Sequence, residues 1–254
     1  MIKEITVEKA FDIEMPPDGS RLMTLDGYQG CQLQCPYCFQ MNNKEWCNNI
    51  LIRTNIVQAL KKELAETTNL KEIFVGSQSD PYMPLEEEYK LTRSLLEFLE
   101  DKDYKIYITT KANNRLILRD KELLKSFKKP VTIVMGLANI NEVHKGANNS
   151  NIAVANELAQ AGIQTDVHIT PILPYIMNVD EMIEAVDEKI FIYLDKLRIF
   201  TEGGQDQKIL EWVRKSYPQY IKQYEKIILA EENDYYDELV ARYKDNQRVN
   251  FLFV

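Results

Sequence analysis

Three cysteines in one short loop are the residues whose types and spacing can do chemistry. Cys31, Cys35 and Cys38 stand in the segment GYQGCQLQCPYCF and give the spacing C-x3-C-x2-C. If the four cysteines of the chain fell at random, this spacing would be expected only about 0.001 times. Thiolates suit zinc or iron–sulfur clusters, so three in one loop converge on a single metal centre. A three-cysteine set leaves one iron of a cubic cluster without a protein ligand.

Structural zinc is the alternative metal for this loop. Such sites take four protein ligands, usually as two separated pairs, and the fourth ligand would have to be Cys47, His144 or His168. Buried cysteines that bind nothing are a further alternative, but the polar neighbours Gln32 and Gln34 are not typical of packing residues. A single cysteine cannot hold a second cluster, so Cys47 is interpreted as a small buried residue and has no assigned role.

The elements that must position this loop follow an alternating pattern. Short β-branched or aromatic runs predict six strands, at 21–28, 71–76, 104–110, 131–137, 163–170 and 194–200. Apolar residues at three- and four-residue spacing predict five helices between them, within 50–67, 86–101, 118–127, 151–162 and 179–190. Two further helices, at 207–233 and 234–245, form a tail rich in Tyr, Lys and Glu.

Repeated strand–helix units curl a parallel sheet into a full or partial barrel, and such barrels carry their chemistry at the C-terminal ends of the strands. We therefore predict an α/β fold, a partial (βα)6 TIM-type barrel with a C-terminal helical extension. No linker or internal repeat marks a boundary. A single domain over 1–254 is expected, with the barrel core at about 20–200 and the helical tail at about 207–254.

The composition of the chain excludes several classes of protein. The chain has 254 residues, of which 45% are hydrophobic and 28% charged, which excludes disorder and low complexity. Its net charge is −8, so it lacks the basic excess of proteins that hold nucleic acid mainly by phosphate contacts. The N-terminal residues have no apolar leader, and no stretch approaches the roughly 18 apolar residues of a membrane span. We expect a cytoplasmic protein without a membrane partner.

The cysteine loop resembles the cluster motif of the radical S-adenosylmethionine (SAM) superfamily, including the aromatic Tyr37 before the last cysteine. That resemblance implies that Cys31, Cys35 and Cys38 hold a 4Fe-4S cluster. It implies further that SAM chelates the open iron and is cleaved reductively to methionine and a 5'-deoxyadenosyl radical, which abstracts hydrogen from a substrate. An external one-electron donor such as flavodoxin or ferredoxin is the implied redox partner.

A narrower resemblance is to the group of spore photoproduct lyase and its relatives. It is carried, in the group's order, by GYQGC at 27–31, SDPYMPLE at 79–86, LTR at 91–93, TK at 110–111, LRD at 118–120, AGI at 161–163 and TPILP at 170–174. It implies that Ser79 and Lys111 contact the methionine end of SAM, and it makes Tyr37 and Asp80 further cofactor-binding candidates. A lysine supplies a point charge for a carboxylate, and a serine hydroxyl can donate to it.

The chain departs from that group at three places. Ser77 stands where the lyase has the cysteine that returns hydrogen, and an O–H bond is much harder to break homolytically than S–H. His144-Lys-Gly146 replaces a usual Glu-Pro-Gly stretch, and the arginine that follows is missing. Gly136 stands where a serine is usual at the end of the fourth strand. The SAM site is therefore expected to be altered in detail.

Side chains on the substrate side follow from strand alternation. Residues two apart share a face, so Asp166, His168 and Thr170 are expected to point into the barrel mouth. His168 and Arg198, the latter on the predicted last strand, are substrate-pocket candidates. The alternative for His168 is a hydrogen-bonded packing residue. Tyr82 is the third candidate, and a turn that starts the next helix is the alternative for its segment.

The predicted function is a radical SAM enzyme acting on a small molecule or a peptide. One alternative is a DNA photoproduct-type repair lyase with a different hydrogen donor, such as Cys47 or a tyrosine, which would make nucleic acid a partner. The Lys/Tyr stretches of the tail could suggest such a partner, but acidic residues interrupt every basic patch, so a solvated helical surface is the preferred interpretation. The other alternative is a non-catalytic zinc or iron–sulfur protein.

Overall fold

A computed structural model describes residues 1–14, 22–199 and 204–253 of the chain. The strands of this described part form one sheet of eight and one of three. Their bounds are β1 Ile2–Ile5, β2 Phe11–Glu14, β3 Leu22–Leu25, β4 Tyr28–Gln29, β5 Ile50–Arg53, β6 Glu72–Val75, β7 Lys105–Thr110, β8 Val131–Gly136, β9 Gln164–Ile169, β10 Phe191–Leu194 and β11 Val249–Phe251.

The larger sheet has the order β11-β10-β9-β8-β7-β6-β3-β2. From β3 to β11 every neighbouring pair is parallel, and only β2 runs antiparallel to β3 at the edge. Since parallel strands place their carboxyl ends along one edge, the loops after β3, β6, β7, β9 and β10 meet there. The smaller sheet pairs β5 with β1 in parallel and with β4 in antiparallel. It flanks the cysteine loop, which lies between β4 and β5.

Helices connect the strands and cover one face of the sheet. Their bounds are α1 Lys44–Asn48, α2 Ile56–Glu66, α3 Leu85–Tyr89, α4 Leu91–Leu99, α5 Lys121–Ser126, α6 Ser150–Gln160, α7 Val179–Ala185, α8 Gln205–Ser216, α9 Ile221–Leu229 and α10 Asp234–Tyr243. In α4 the buried leucines recur at helical spacing, at 91, 95 and 99, which is why this segment forms a half-buried helix. The Asn149 side chain caps α6 by accepting from the Asn151 N–H, and α6 packs on β8 and β9.

Sheet residues alternate between two environments. Val167 and Ile169 on β9, like Ile106 and Ile108 on β7, are buried on the face that the helices cover. Their neighbours on the opposite face are only half-buried, His168 among them. One face therefore supplies the hydrophobic core, while the other remains open to a ligand.

The predicted α/β class and mostly parallel sheet are confirmed, and the curling of that sheet into a partial barrel stays a prediction, as does the single-domain division. Three boundary predictions were wrong. The last predicted strand, 194–200, lies three residues too late, because Phe191–Leu194 pairs with β9 and Arg198 lies in the loop beyond. The predicted helix at 50–67 begins only at Ile56, because Ile50–Arg53 pairs with β1. Residues 21–28 divide into β3 and the start of β4, with Arg21 outside the described residues.

The predicted helical tail is correct for α8, α9 and α10 but incomplete. Val249–Phe251 forms β11 and adds a parallel strand to β10. Three residues are too few to show a strand period in sequence, and the pairing that makes them a strand comes from a distant segment. No helix of the described residues is long and apolar enough to cross a membrane.

Candidate functional site

A cavity of about 280 Å³ opens at the carboxyl edge of the large sheet, where the cysteine loop meets the loops after β6, β7, β9 and β10. Cys31, Cys35 and Cys38 all line it, together with the polar residues Ser77, Ser79, Asp80, Lys111 and Arg198. The spacing motif and the residues carried by the family resemblance thus come together in one place, although they are spread over about 80 positions of the chain, from Cys31 to Lys111.

The cysteine loop is held by backbone geometry, by a hydrogen bond within the loop and by a contact with a distant residue. Gly30 has φ +84°, and a Cβ on it would lie 2.2 Å from the Asn49 carbonyl oxygen, so the loop entrance requires glycine. Within the loop, the Cys38 N–H donates to the Cys35 carbonyl at 3.0 Å. The Tyr37 hydroxyl, which is buried, donates to the Ala138 carbonyl after β8. Tyr37 therefore anchors the loop to the sheet edge.

A single metal ion and a cubic cluster would place different demands on the three thiols. Among the described residues no three His, Cys, Asp or Glu side chains are placed to hold one metal ion together. A tetrahedral zinc would bring thiolates to about 4 Å of one another, given zinc–sulfur bonds of about 2.3 Å. In a cubic cluster each thiolate binds a different iron, so three thiols can line one cavity without meeting. Of the possible fourth zinc ligands, neither His144 nor His168 lines the cavity, and the Cys47 side chain lies outside the described part of the structure.

Burial favours the protonated form of two of these thiols, Cys31 and Cys35, in the metal-free protein. It raises the pKa of Cys31 to about 12, with a further contribution from the charge of Asp80. Burial also raises the pKa of Cys35, against the opposing charge of Lys111. Because only thiolates ligate, loading the site must release protons. Thiols that stay neutral can share one apolar cavity without mutual repulsion.

Asp80 fixes the two residues that the resemblance assigns to SAM. Its carboxylate accepts from the backbone N–H groups of Lys111 at 2.6 Å, Ala112 at 3.1 Å and Tyr82 at 3.0 Å, and from the Thr110 hydroxyl at 2.8 Å. These bonds join the loop after β6 to the end of β7. Burial raises the pKa of Asp80 in spite of them. Asp80 is 7% exposed with its carboxylate already occupied, so it is placed to position Ser79 and Lys111.

Ser79 offers an acceptor to the cavity rather than the donor that sequence reasoning supposes. Its hydroxyl donates to the Tyr28 carbonyl at 2.9 Å, and its proton is therefore committed to the protein. The lone pairs of the oxygen remain available. In this arrangement Ser79 suits the ammonium group of an amino acid, whereas Lys111 suits the carboxylate.

Lys111 reaches the cysteine loop because Gly136 has no side chain. A Cβ on Gly136 would lie 2.4 Å from Cγ, 3.1 Å from Cε and 3.3 Å from Cδ of Lys111, so the lysine stem lies across the end of β8. Its ammonium stands 5.3 Å from the centre of the Tyr37 ring, a cation–π distance. The glycine in place of a family serine therefore sets the path of the lysine.

We expect Gly136→Ala to act through Lys111. The new methyl group must displace the lysine stem, and loss of one charge-assisted contact lowers SAM affinity about tenfold. On a Lys111→Met background the same glycine substitution should produce no further loss, since the group it displaces is gone. Gly162→Ala is the control for a general loss of stability: a Cβ there meets nothing within 4 Å but is strained by the φ of +84°, so this variant should be less stable while its SAM affinity stays unchanged. Dissociation constants from spectroscopic SAM titration measure both effects, and additive losses would contradict the assignment.

A network of buried ion pairs and hydrogen bonds lies behind the loop after β6, which carries Ser79 and Asp80. The carboxylate of Glu86, which is fully buried, accepts from the Tyr28 hydroxyl at 2.5 Å, the Arg119 guanidinium at 2.8 Å and two backbone N–H groups at 3.0 and 3.1 Å. Asp120, also fully buried, accepts from Arg93 at 2.7 Å and from Arg119. These residues occupy the stretches that carry the resemblance at 79–86, 91–93 and 118–120. The network has a structural role. It supports Ser79, because Tyr28 donates its hydroxyl to Glu86 and accepts the Ser79 hydroxyl at its carbonyl.

Asp26 holds another wall of the cavity. Its carboxylate accepts from the Gly76 N–H at 2.9 Å and from the Gln78 N–H at 3.4 Å, the residues on either side of Ser77. Burial raises the pKa of Asp26 to about 7 despite these bonds. The folded protein therefore keeps a proton on this carboxyl in a pH range in which the unfolded chain has lost it.

This raised pKa predicts a stability that falls as pH rises. Below about pH 4 the Asp26 carboxyl is protonated in both the folded and the unfolded chain. Between pH 4 and 7 it keeps its proton only in the folded chain, so the free energy of unfolding falls until the folded carboxyl also ionises near pH 7. The full change is on the order of 4 kcal/mol at most. Urea unfolding of the metal-free chain at pH 5, 6, 7 and 8 measures it. Asp26→Asn should remove this part of the slope, and an identical slope in the variant would show that Asp26 does not titrate in this range.

The three substrate-pocket candidates lie in different places. Arg198 lines the cavity, but its guanidinium donates to Asp195 at 2.8 Å and to the Leu252 carbonyl at 2.7 Å, so it ties the C-terminal segment to the cavity wall. Tyr82 is 1% exposed and does not line the cavity. His168 lies on the open face of the sheet next to the cavity, with its ring centre 4.8 Å from that of Tyr193. Burial, followed by the charge of Lys111, lowers its pKa to about 4, so it is neutral at pH 7.

Sequence reasoning missed Gln205, the first residue of α8. Its side-chain amide donates to the Tyr37 carbonyl at 2.7 Å and to the Arg198 carbonyl at 3.1 Å, so one residue of the helical tail joins the cysteine loop to the far wall. It is 1% exposed. A buried glutamine is uncommon, but nothing in the sequence shows that this one is buried. Gly136 was noted only as a departure, although its spacing from Lys111 follows once β7 and β8 are paired.

Comparisons with known proteins agree with this architecture. No protein-family model matches the chain. An uncharacterised protein of Methanocaldococcus jannaschii is 27% identical over 211 residues, covering 77% of this chain and 76% of that protein. A structure of spore photoproduct lyase complexed with dinucleoside spore photoproduct superimposes with a TM-score of 0.59 at 16% identity, over 86% of this chain. A doubly substituted variant of the lyase, with AdoMet and the same dinucleoside bound, gives 0.56 at 19% identity.

The chain spans 66% of the length of that lyase chain, so part of the lyase has no counterpart in it. At this level of identity the superposition concerns the fold. The mostly parallel sheet and the match over most of the chain lead to one conclusion: the protein has an α/β fold similar to that of spore photoproduct lyase.

Proposed function

We propose that the protein is a radical SAM enzyme, with a 4Fe-4S cluster held by Cys31, Cys35 and Cys38. The observation that carries this proposal is the convergence of the three thiols with Ser79 and Lys111 in one cavity at the carboxyl edge of the sheet. A metal site needs only the thiols. The acceptor and the cation beside them are the complement of an amino acid's amino and carboxylate groups, the part of SAM that would bind the open iron once the amino group has lost its proton.

With cluster and SAM bound, one electron from a donor such as flavodoxin or ferredoxin would cleave SAM to methionine and a 5'-deoxyadenosyl radical, which takes a hydrogen atom from the substrate. The residues of the chain itself would bind SAM and orient it. Lys111 would neutralise the carboxylate, Ser79 would accept from an N–H of the amino group, and Asp80 holds both residues in register through its four hydrogen bonds.

We propose a small molecule or a peptide as the substrate of this cytoplasmic enzyme. A repair lyase is the second candidate, which the likeness in fold to a lyase complexed with a dinucleoside photoproduct favours. Against it, Ser77 lines the cavity where the lyase group has its hydrogen-donating cysteine. Gel-shift titration with ultraviolet-damaged DNA separates the two candidates, since repair requires binding whose affinity falls steeply with salt.

The proposal is tested by reconstituting the full chain without oxygen. We expect about 4 iron per chain and, with dithionite and SAM, release of 5'-deoxyadenosine. Stoichiometric zinc in the purified protein, with no SAM cleavage after attempted reconstitution, would favour a non-catalytic metal protein instead. Iron incorporation without SAM cleavage would favour a cluster carrier.

A further inference from the structure

The open face of the sheet carries a second group of polar side chains beside the cavity. Asp166 and His168 on β9 lie opposite Phe191 and Tyr193 on β10, in the register Phe191 to Asp166 and Tyr193 to His168. Partners in a parallel pair point to the same side, so these four residues form one surface. We call it the Asp166 face. It lies on the side of the sheet opposite α6.

The Asp166 face is continuous with the cavity. Thr109, which lines the cavity, pairs with Val134 of β8, and Val134 pairs with Asp166. One row nearer the carboxyl edge, Gly136 pairs with His168, and the Lys111 stem lies over Gly136. A molecule that extends from the cavity along the sheet would therefore reach Asp166 two strands from Thr109, a distance of about 10 Å.

The polar groups of this face are unpaired within the part of the chain that the structure describes. Asp166 is half-buried, and its carboxylate has no hydrogen bond or ion pair there; burial is the only cause that raises its pKa. The buried carboxylates of Asp26, Asp80 and Glu86, in contrast, each accept two to four hydrogen bonds. A partly desolvated carboxylate without a partner costs stability, and such costs are typical of binding sites.

The residues around Asp166 determine which kind of ligand this face could bind. Phe191 is 51% exposed, and Tyr193 places a second ring beside the carboxylate. A lone carboxylate flanked on one side by two aromatic residues of the neighbouring strand is complementary to an organic cation, which gains an ion pair and cation–π contacts together. An anion would be repelled, and a neutral molecule would leave the carboxylate unpaired. His168 is neutral at pH 7, and Lys111 directs its ammonium to the Tyr37 ring instead.

We propose that the Asp166 face binds the ammonium group of the substrate, so that the enzyme acts on an amine with an apolar body. This inference rests on the proposed function, because it treats the Asp166 face as the substrate side of the same site. Asp166 provides the counter-ion, and the rings of Phe191 and Tyr193 provide the apolar contact.

The test uses phenethylamine, which is cationic at pH 7, and its uncharged counterpart 2-phenylethanol. Calorimetric titration of the reconstituted full chain should show that the amine binds at least about tenfold more tightly than the alcohol. Asp166→Asn should abolish this preference, whereas the exposed Asp237→Asn should keep it. No binding of the amine, equal affinities of amine and alcohol, or a preference that survives Asp166→Asn would overturn the inference.

Two further readouts separate a binding role from a structural one. Because the unpaired carboxylate stabilises nothing in the free protein, Asp166→Asn should raise the thermal midpoint by about 1–3 °C, and a fall would indicate a structural role instead. Iron content and 5'-deoxyadenosine release are measured on the same preparations. If the amine preference fails while SAM is cleaved, only this inference is wrong; if SAM is not cleaved while the amine binds, the proposed function is wrong.

Discussion

Replacement of Cys35 by alanine is expected to abolish both the four-iron cluster and the cleavage of SAM. Cys35 lies between the other two cysteines of the motif and lines the same cavity, so its loss leaves two thiolates for a centre that needs three. We expect iron to fall from about 4 per chain to below about 1 and 5'-deoxyadenosine to become undetectable. Iron analysis and chromatography of the reaction mixture measure these two quantities.

The matched control is Cys47→Ala. It removes a cysteine from the same region of the chain without touching the motif, so full iron content and SAM cleavage are expected. Far-ultraviolet circular dichroism of both metal-free variants shows whether they fold. Cys35→Ala that keeps its four irons, or Cys47→Ala that loses them, would mean that the ligand set has been assigned incorrectly.

The second large effect is expected for Glu86→Ala. Glu86 is fully buried and accepts four hydrogen bonds, among them one from the Arg119 guanidinium and one from the Tyr28 hydroxyl. Its removal leaves the Tyr28 hydroxyl and two backbone N–H groups without an acceptor and leaves Arg119 with Asp120 as its remaining carboxylate partner, which costs about 3 kcal/mol. In a chain of this length we expect the thermal midpoint to fall by roughly 10 °C. Differential scanning calorimetry of the metal-free protein measures this change.

The same substitution should weaken SAM binding, because Tyr28 connects Glu86 to Ser79. Tyr28 donates its hydroxyl to Glu86 and accepts the Ser79 hydroxyl at its carbonyl, so the loss of one contact loosens the other. Glu87→Ala, at the exposed neighbouring position, is the control and should change neither property. A Glu86→Ala protein as stable as the control would contradict the structural role given to this network.

The fold was largely predictable wherever local pattern decides it. The helices of the described residues show apolar spacing that sequence alone displays, as in α4 with its buried leucines at 91, 95 and 99. Errors arose where pairing with a distant segment decides the structure. Ile50–Arg53 is apolar enough for a helix, but its pairing with β1 makes it a strand. Val249–Phe251 becomes a strand only through its pairing with β10.

The gathering of the three cysteines in one cavity was predictable from the sequence, but the contacts that support the cavity were not. Cysteine spacing predicts a metal loop because chance rarely produces it. The bond from Ser79 to the Tyr28 carbonyl, which reverses the expected role of that hydroxyl, depends on the loop conformation. Gly136 matters only because Lys111, the residue directly after β7, lies against it, and Gln205 matters only because α8 begins beside the cysteine loop. None of these contacts between distant residues can be read from the sequence.

The central claim is that one iron of the cluster is left open for SAM, and magnetic resonance of the reduced, reconstituted chain tests it most directly. SAM labelled with nitrogen-15 at its amino group is added to the frozen, oxygen-free sample. A changed electron paramagnetic resonance signal with a resolved coupling to the labelled nitrogen is the predicted result. An unchanged signal without that coupling, from a centre with full iron content, would contradict the claim.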